Sequence, residues 1–167
     1  IFTMISLISG GSPYSSLWKI LEKEKFITKD QFKEALKQAK QEDRHLSQVL
    51  HENEEIPQER LMKVFSEFFG VPEVRLRNLV VSPYVLNLIP REVAEQHSGV
   101  IFKKVKNMIH VATAVPENFQ TIEFIKKKTG FETTVFVTTP QDIRHVLRKY
   151  KSELSTEFAQ IIQQSMQ

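Results

Sequence analysis

Five histidines are the residues of this chain best suited to hold a metal or move a proton: His45, His51, His97, His110 and His145. They form no close-spaced ligand pair of the kind that metal sites are built on. There is no cysteine, which removes thiolate chemistry, a disulfide framework and the usual structural zinc sites, and fits a reducing compartment. The five glycines, Gly10, Gly11, Gly70, Gly99 and Gly130, never make the G-x4-G-K-[ST] loop that cradles nucleotide phosphates. Glu52, Glu54 and Glu55 read as a solvated loop cluster, and no serine sits at a nucleophile elbow. The side chains therefore predict no catalytic constellation, no metal site and no cofactor.

What remains is charge. Net charge is +3, unevenly spread. Residues 1–80 balance 12 basic against 12 acidic side chains, whereas residues 99–151 carry 10 basic against 4 acidic. Lys103, Lys104, Arg144 and Arg148 are the candidates on that basic face for attracting an acidic partner or a phosphate, although a solvated face is the plainer reading. Nucleic acid is not expected, because the aromatics fall in phase with a core rather than between basic residues on an exposed sheet. No apolar run approaches the ~18 residues of a membrane span, so direct membrane insertion is not expected either.

The elements that must position these groups are an α+β arrangement. Residues 1–16 read as a lead or linker, with Gly10, Gly11 and Pro13 as breakers. Residues 17–70 read as a four-helix subdomain. Thr28 and Gln31 form a capping box there, and Pro57 sits at a helix start. Residues 71–81 read as an extended linker. Residues 82–151 read as a small α/β sandwich, with Ser82 and Thr139 as helix caps followed by Pro83 and Pro140. Its three strands, near residues 99–106, 108–115 and 131–138, predict a mostly antiparallel sheet. Residues 152–167 read as a C-terminal amphipathic helix. Leu154, Phe158, Ile161 and Ile162 give it a stripe that would meet a partner, seam a homodimer, or fold back on the chain's own core.

The helical half repeats with a 29-residue shift. Leu17, Leu21, Ile27, Phe32 and Leu36 fall on Leu46, Leu50, Ile56, Leu61 and Phe65, an apolar skeleton that predicts two helix pairs packed with pseudo-symmetry.

Several short motifs follow one another in the second half: Leu88-Ile89-Pro90, Val93-Ala94, His97, Thr129-Gly130 and Lys149-Tyr150. In that order and spacing they resemble the N-terminal domain of the ATPases that power type II secretion and type IV pilus assembly. The helical half is similar to the tandem 24-residue motifs with which pilus-type members bind cyclic di-GMP, through arginine, glycine backbone and a closing glutamine over a bed of leucines. The leucine bed is kept here. The ligand positions are not: they fall on Ser16, Trp18, Lys25 and Ala39 in the first copy and on His45, Ser47, Glu54 and Phe68 in the second. Bulk at Trp18 and Lys25 and negative charge at Glu54 oppose a close approach by phosphates. Arg44, beside His45, is a partial substitute for the lost arginine.

The resemblance thus implies a non-catalytic interaction or regulatory module. Its partner would be an inner-membrane platform or motility/polarity protein, and its location the cytoplasm, with recruitment to the inner membrane or the cell pole. The alternative is a sensor of cyclic di-GMP with diverged ligand residues.

Overall fold

The computed structural model describes residues 14–165, with the side chains of residues 151–160 excepted. The helical half consists of α1 (Tyr14–Glu24), α2 (Lys29–Gln41), α3 (Leu46–Glu52) and α4 (Gln58–Phe69). Displaced by 29 residues, Lys29 at the start of α2 lands on Gln58 at the start of α4. The two apolar skeletons superpose in burial as well as in sequence. Leu17, Leu21, Ile27 and Phe32 are buried, and so are Leu46, Leu50, Ile56 and Leu61; Phe65 is buried where its counterpart Leu36 is half-buried. Helix α1 packs on α4 and α2 packs on α3, and the repeat exchanges one pairing for the other. Period therefore dictates packing: each helix pair leaves one stripe uncovered, and the other pair covers it.

Local signals set the boundaries. Thr28 and Gln31 form both arms of the capping box at α2. Pro57 lies one residue before α4, its carbonyl accepting from the N–H groups of Arg60 and Leu61, both at 3.1 Å. Gly70 closes α4 at φ +66°. Residues Tyr14 to Ser16, expected in the lead, are helical, because the Tyr14 ring packs against the helical core. The rest of that lead lies outside the described residues.

The linker docks as a fragment of strand. Val137 donates its N–H to the Pro72 carbonyl and Val74 donates to the Val137 carbonyl, each at 2.9 Å. A short 3-10 turn, Leu76–Asn78, follows, with Leu76 fully buried.

The second half runs α5 (Pro83–Leu86), α6 (Arg91–His97), β1 (Gly99–Val105), β2 (Met108–Thr113), α7 (Phe119–Thr129), β3 (Glu132–Val137) and α8 (Pro140–Ser165). The sheet order is β1-β2-β3. β1 and β2 form an antiparallel hairpin through a turn at Lys106 and Asn107, with Lys106 at φ +53°. β3 is parallel to β2, because α7 carries the chain back across the sheet before β3 begins. The sheet is therefore mixed.

Ser82 takes the N-cap position of α5, but its side chain makes no capping bond. That single turn is closed by backbone instead, Leu86 N–H donating to the Ser82 carbonyl at 3.0 Å. Thr139 does cap α8, its Oγ1 accepting from Asp142 N–H at 3.1 Å. α8 continues unbroken across residues 151 and 152. Thr121 and Ile125 supply the buried face of α7, and Phe119 and Phe124 stand outward at 45% and 41% exposure.

The spaced motifs have a physical connection. Tyr150 Oη donates to the carbonyls of Leu86 and Ile89, so the closing Lys149-Tyr150 pair clamps the Leu88-Ile89-Pro90 step from 61 residues away. His97 Nδ1 lies 2.9 Å from Thr121 Oγ1 and its ring stacks on Phe124, a structural role at the join of α6 and α7.

Candidate functional site

The eight diverged positions do not assemble into one cradle. Ala39 and His45 line a groove of about 490 Å³ between α2 and the start of α3, together with Tyr14, Lys40, Asp43 and Arg44. Trp18 belongs to a different groove, between α1 and α2, where its ring meets Phe32 at 5.4 Å. Ser16 is exposed on α1, Glu54 is exposed in the turn after α3, and Phe68 is buried edge-on against Phe69 at 4.8 Å. Lys25 is exposed too, yet its backbone sits at φ +58°. That left-handed conformation is one that favours glycine, the residue the resemblance leads one to expect here.

Ser47 is the most informative of the eight. It is 1% exposed on the first turn of α3, and its N–H donates to Glu117 Oε1 at 2.9 Å. Glu117 comes from the loop between β2 and α7, 70 positions along the chain. A carboxylate from the sandwich half thus occupies the backbone donor at a position where the resemblance leads one to expect glycine. Asp43, Arg44, His45 and Glu117 line one continuous depression of about 400 Å³ with Asn118 to Gln120. Burial, and secondarily the nearby Glu117 charge, pushes the Tyr14 hydroxyl above its ordinary pKa. Two acids in these walls make the depression a poor host for a dianion.

Arg44 is not a free phosphate ligand. Its guanidinium lies 3.0 Å from Glu42 Oε2 and pairs with both carboxylate oxygens of Glu52. Those hydrogen bonds, to Glu52 first and then Glu42, push the Arg44 pKa up. Glu52, expected in a solvated cluster, is therefore held by Arg44, because the turn between α2 and α3 brings the guanidinium back to the end of α3. His45 is the residue before α3, its N–H donating to Gln48 Oε1 at 3.1 Å.

A buried ion-pair network fastens the linker to both halves. Asp142 is completely buried at the start of α8, with Arg75 Nε at 3.4 Å and Arg77 Nε at 3.2 Å. Arg75 also reaches Glu59 on α4 at 2.9 Å, so one guanidinium touches both halves. Gln141 N–H donates to Gln58 Oε1 at 3.1 Å beside it. An Arg-x-Arg in a linker is the only sequence signal for this network, and it names no partner.

His51, one of the five histidines, packs into the helical core. Both ring nitrogens are buried without a hydrogen-bond partner and the ring meets Phe65 edge-on at 5.6 Å. Burial lowers its pKa to about 4.

Of the expected partner-binding residues, Ile161 and Ile162 are exposed at 62% and 42%. Leu154 and Phe158 fall among the side chains outside the described set. Arg144 and Arg148 are exposed on α8, whereas Lys103 and Lys104 lie on β1 and group with other lysines. Among the described residues no cluster of three His, Asp or Glu side chains could hold a metal, and no helix is long and apolar enough to cross a membrane.

The MshEN domain family matches residues 69–157. The chain is 25% identical over 146 residues to the type IV pilus assembly ATPase PilB of Myxococcus xanthus, covering 87% of this chain and 26% of that protein. It is 24% identical over 130 residues to PilB of Thermus thermophilus, covering 77% of this chain and 15% of that one. It therefore spans about a quarter or less of the length of these relatives. Among solved structures it is similar to the N-terminal domain of XpsE, with a TM-score of 0.68 at 12% identity, covering 86% of this chain and 99% of that one. It is also similar to MshE, solved with cdg, with a TM-score of 0.64 at 16% identity, covering 80% and 97%. At such identities these two structures establish the fold alone.

Proposed function

The chain belongs to the MshEN domain family, and on that premise we propose that it is a non-catalytic docking and regulatory module of a secretion or pilus assembly machine. It binds a protein partner on the cytoplasmic side of the membrane and does not respond to cyclic di-GMP. The observation that carries this reading is the Glu117 carboxylate on the Ser47 N–H. A donor at a diverged ligand position already has an internal anion, and the neighbouring Arg44 is neutralised by Glu42 and Glu52. A ligand phosphate would have to displace the carboxylates of Glu117, Glu42 and Glu52, each held by a charge-assisted bond.

Docking then falls to surfaces that the fold leaves open, above all Ile161 and Ile162 late in α8. Affinity capture of the partner from the native machine, with Ile161→Asp and Ile162→Asp beside the unaltered chain, tests that surface. Full partner recovery by both variants would reject it.

A second reading, cyclic di-GMP sensing, is favoured by the similarity to MshE solved with cdg and by the groove at Ala39 and His45. Calorimetry decides between the two. Our reading expects no heat at micromolar cyclic di-GMP. Saturable heat that disappears in Arg44→Ala would install the sensor reading in its place.

A further inference from the structure

The end of the sheet farthest from the helical half is a cationic fingertip. Because β2 and β3 are parallel, Met108 pairs with Glu132, and both strands start at the hairpin end. Val137, at the opposite end of β3, is the residue that joins the helical core. The hairpin contributes Lys103, Lys104 and Lys106. α7 ends three residues before β3 begins, so its last turn adds Lys126, Lys127 and Lys128 at the same end. Asn107 accepts from Glu132 N–H at 3.0 Å, fixing the turn to the start of β3.

Glu132 stands among these six lysines and pairs with Lys126 at 3.6 Å, and Glu123 lies one helical turn back from Lys126 and Lys127 on α7. Lys104 Nζ is held 4.8 Å from the Phe131 ring and donates to the Lys106 carbonyl at 2.8 Å. At the point of this surface two apolar side chains face solvent: Val105 at 47% exposure and Met108 at 43%. They flank the turn residues directly.

We propose that this hairpin tip is a peripheral binding site for an anionic lipid bilayer, with Val105 and Met108 entering the headgroup layer and the lysines lying among lipid phosphates. The chemistry of the tip carries the choice of occupant: exposed apolar side chains sit beside clustered lysines, whereas the grooves named above line the helical half and its contact with α7. Exposed apolar side chains beside a cluster of lysines match an interface that is anionic outside and greasy beneath. The aromatics of the sheet, Phe102, His110 and Phe136, pack on one another at 5.1 to 5.8 Å and so do not offer free stacking platforms for nucleic acid bases.

The test is co-sedimentation of the whole chain with vesicles of phosphatidylcholine alone and of equal phosphatidylcholine and phosphatidylglycerol. Binding is expected to the anionic vesicles only. The triple variant Lys103→Gln, Lys127→Gln, Lys128→Gln should lower partitioning at least about tenfold, with its far-ultraviolet circular dichroism unchanged. Val105→Thr with Met108→Thr should lower it several-fold while leaving its salt dependence as it was. Equal binding to neutral vesicles, indifference to the triple variant, or no vesicle binding alongside capture of polyglutamate would each overturn the proposal; the last would assign the tip to an acidic protein.

Discussion

Glu117 and Ser47, 70 positions apart, meet through one hydrogen bond of 2.9 Å that seats a sandwich carboxylate on the backbone of a helical-half helix. The contact satisfies a backbone donor in the first turn of α3, where a negative charge is favoured. It also ties the loop between β2 and α7 to the bundle, on the side of the molecule where Asp43 and Arg44 line the same depression.

Glu117→Ala should therefore destabilise the chain by about 1–2 kcal/mol, because the Ser47 N–H becomes a buried orphan. Glu117→Gln keeps an acceptor oxygen and should cost less. Urea unfolding of the three chains checks the order, which an exposed, unimportant contact would not produce.

Burial of His51 links stability to pH. The folded chain takes up that proton near pH 4 and the unfolded chain near 6.5. The His51 contribution is fully present above pH 6.5 and is lost as pH falls toward 4, on the order of a few kcal/mol in all. Melting temperatures across that interval should fall with acid, and His51→Leu should flatten the part of the slope that belongs to this residue.

Arg75 makes two ion pairs of unequal worth. Asp142 is buried and Glu59 is largely exposed. Asp142→Asn leaves Arg75 and Arg77 without their shared counter-ion and should cost about 2–3 kcal/mol. Glu59→Gln should cost less than about 1 kcal/mol. Equal effects in chemical denaturation would mean that the joint is not organised around Asp142.

Removing the Tyr150 hydroxyl takes away the one proton that the Leu86 and Ile89 carbonyls share. Tyr150→Phe should lose about 1–3 kcal/mol with little change in shape. Burial, with a lesser push from Glu92, raises that hydroxyl to about 12, so the loss should be the same at pH 6 and pH 8.

At Lys25 the expected change runs the other way. A non-glycine residue at φ +58° carries steric strain that glycine does not. Lys25→Gly should gain up to about 1 kcal/mol, read as a raised melting temperature. A loss would mean that the lysine side chain contributes more than its backbone strain costs.

Periodic and local features were readable before any coordinates. The Thr28–Gln31 box, the Thr139 cap and the strand–strand–helix–strand order each depend on residues a few positions apart, and the repeat shows as one fixed 29-residue period of apolar positions. Backbone geometry and an alternating or helical apolar pattern are sufficient to specify such features. The Ser82 cap failed because the propensity of a residue does not say whether its hydroxyl or the backbone closes a one-turn helix.

Contacts across long stretches of chain were decided by folding alone. Nothing near Glu117 announces Ser47, nothing near Asp142 announces Arg75, and His51 looks like any helical histidine until Phe65 closes over it. A buried polar group takes whichever partner the packing of apolar faces delivers, and that choice is made between elements rather than within them. The same holds for the lysines of the hairpin and of α7. They are two unrelated clusters along the chain and become one surface because β3 runs parallel to β2.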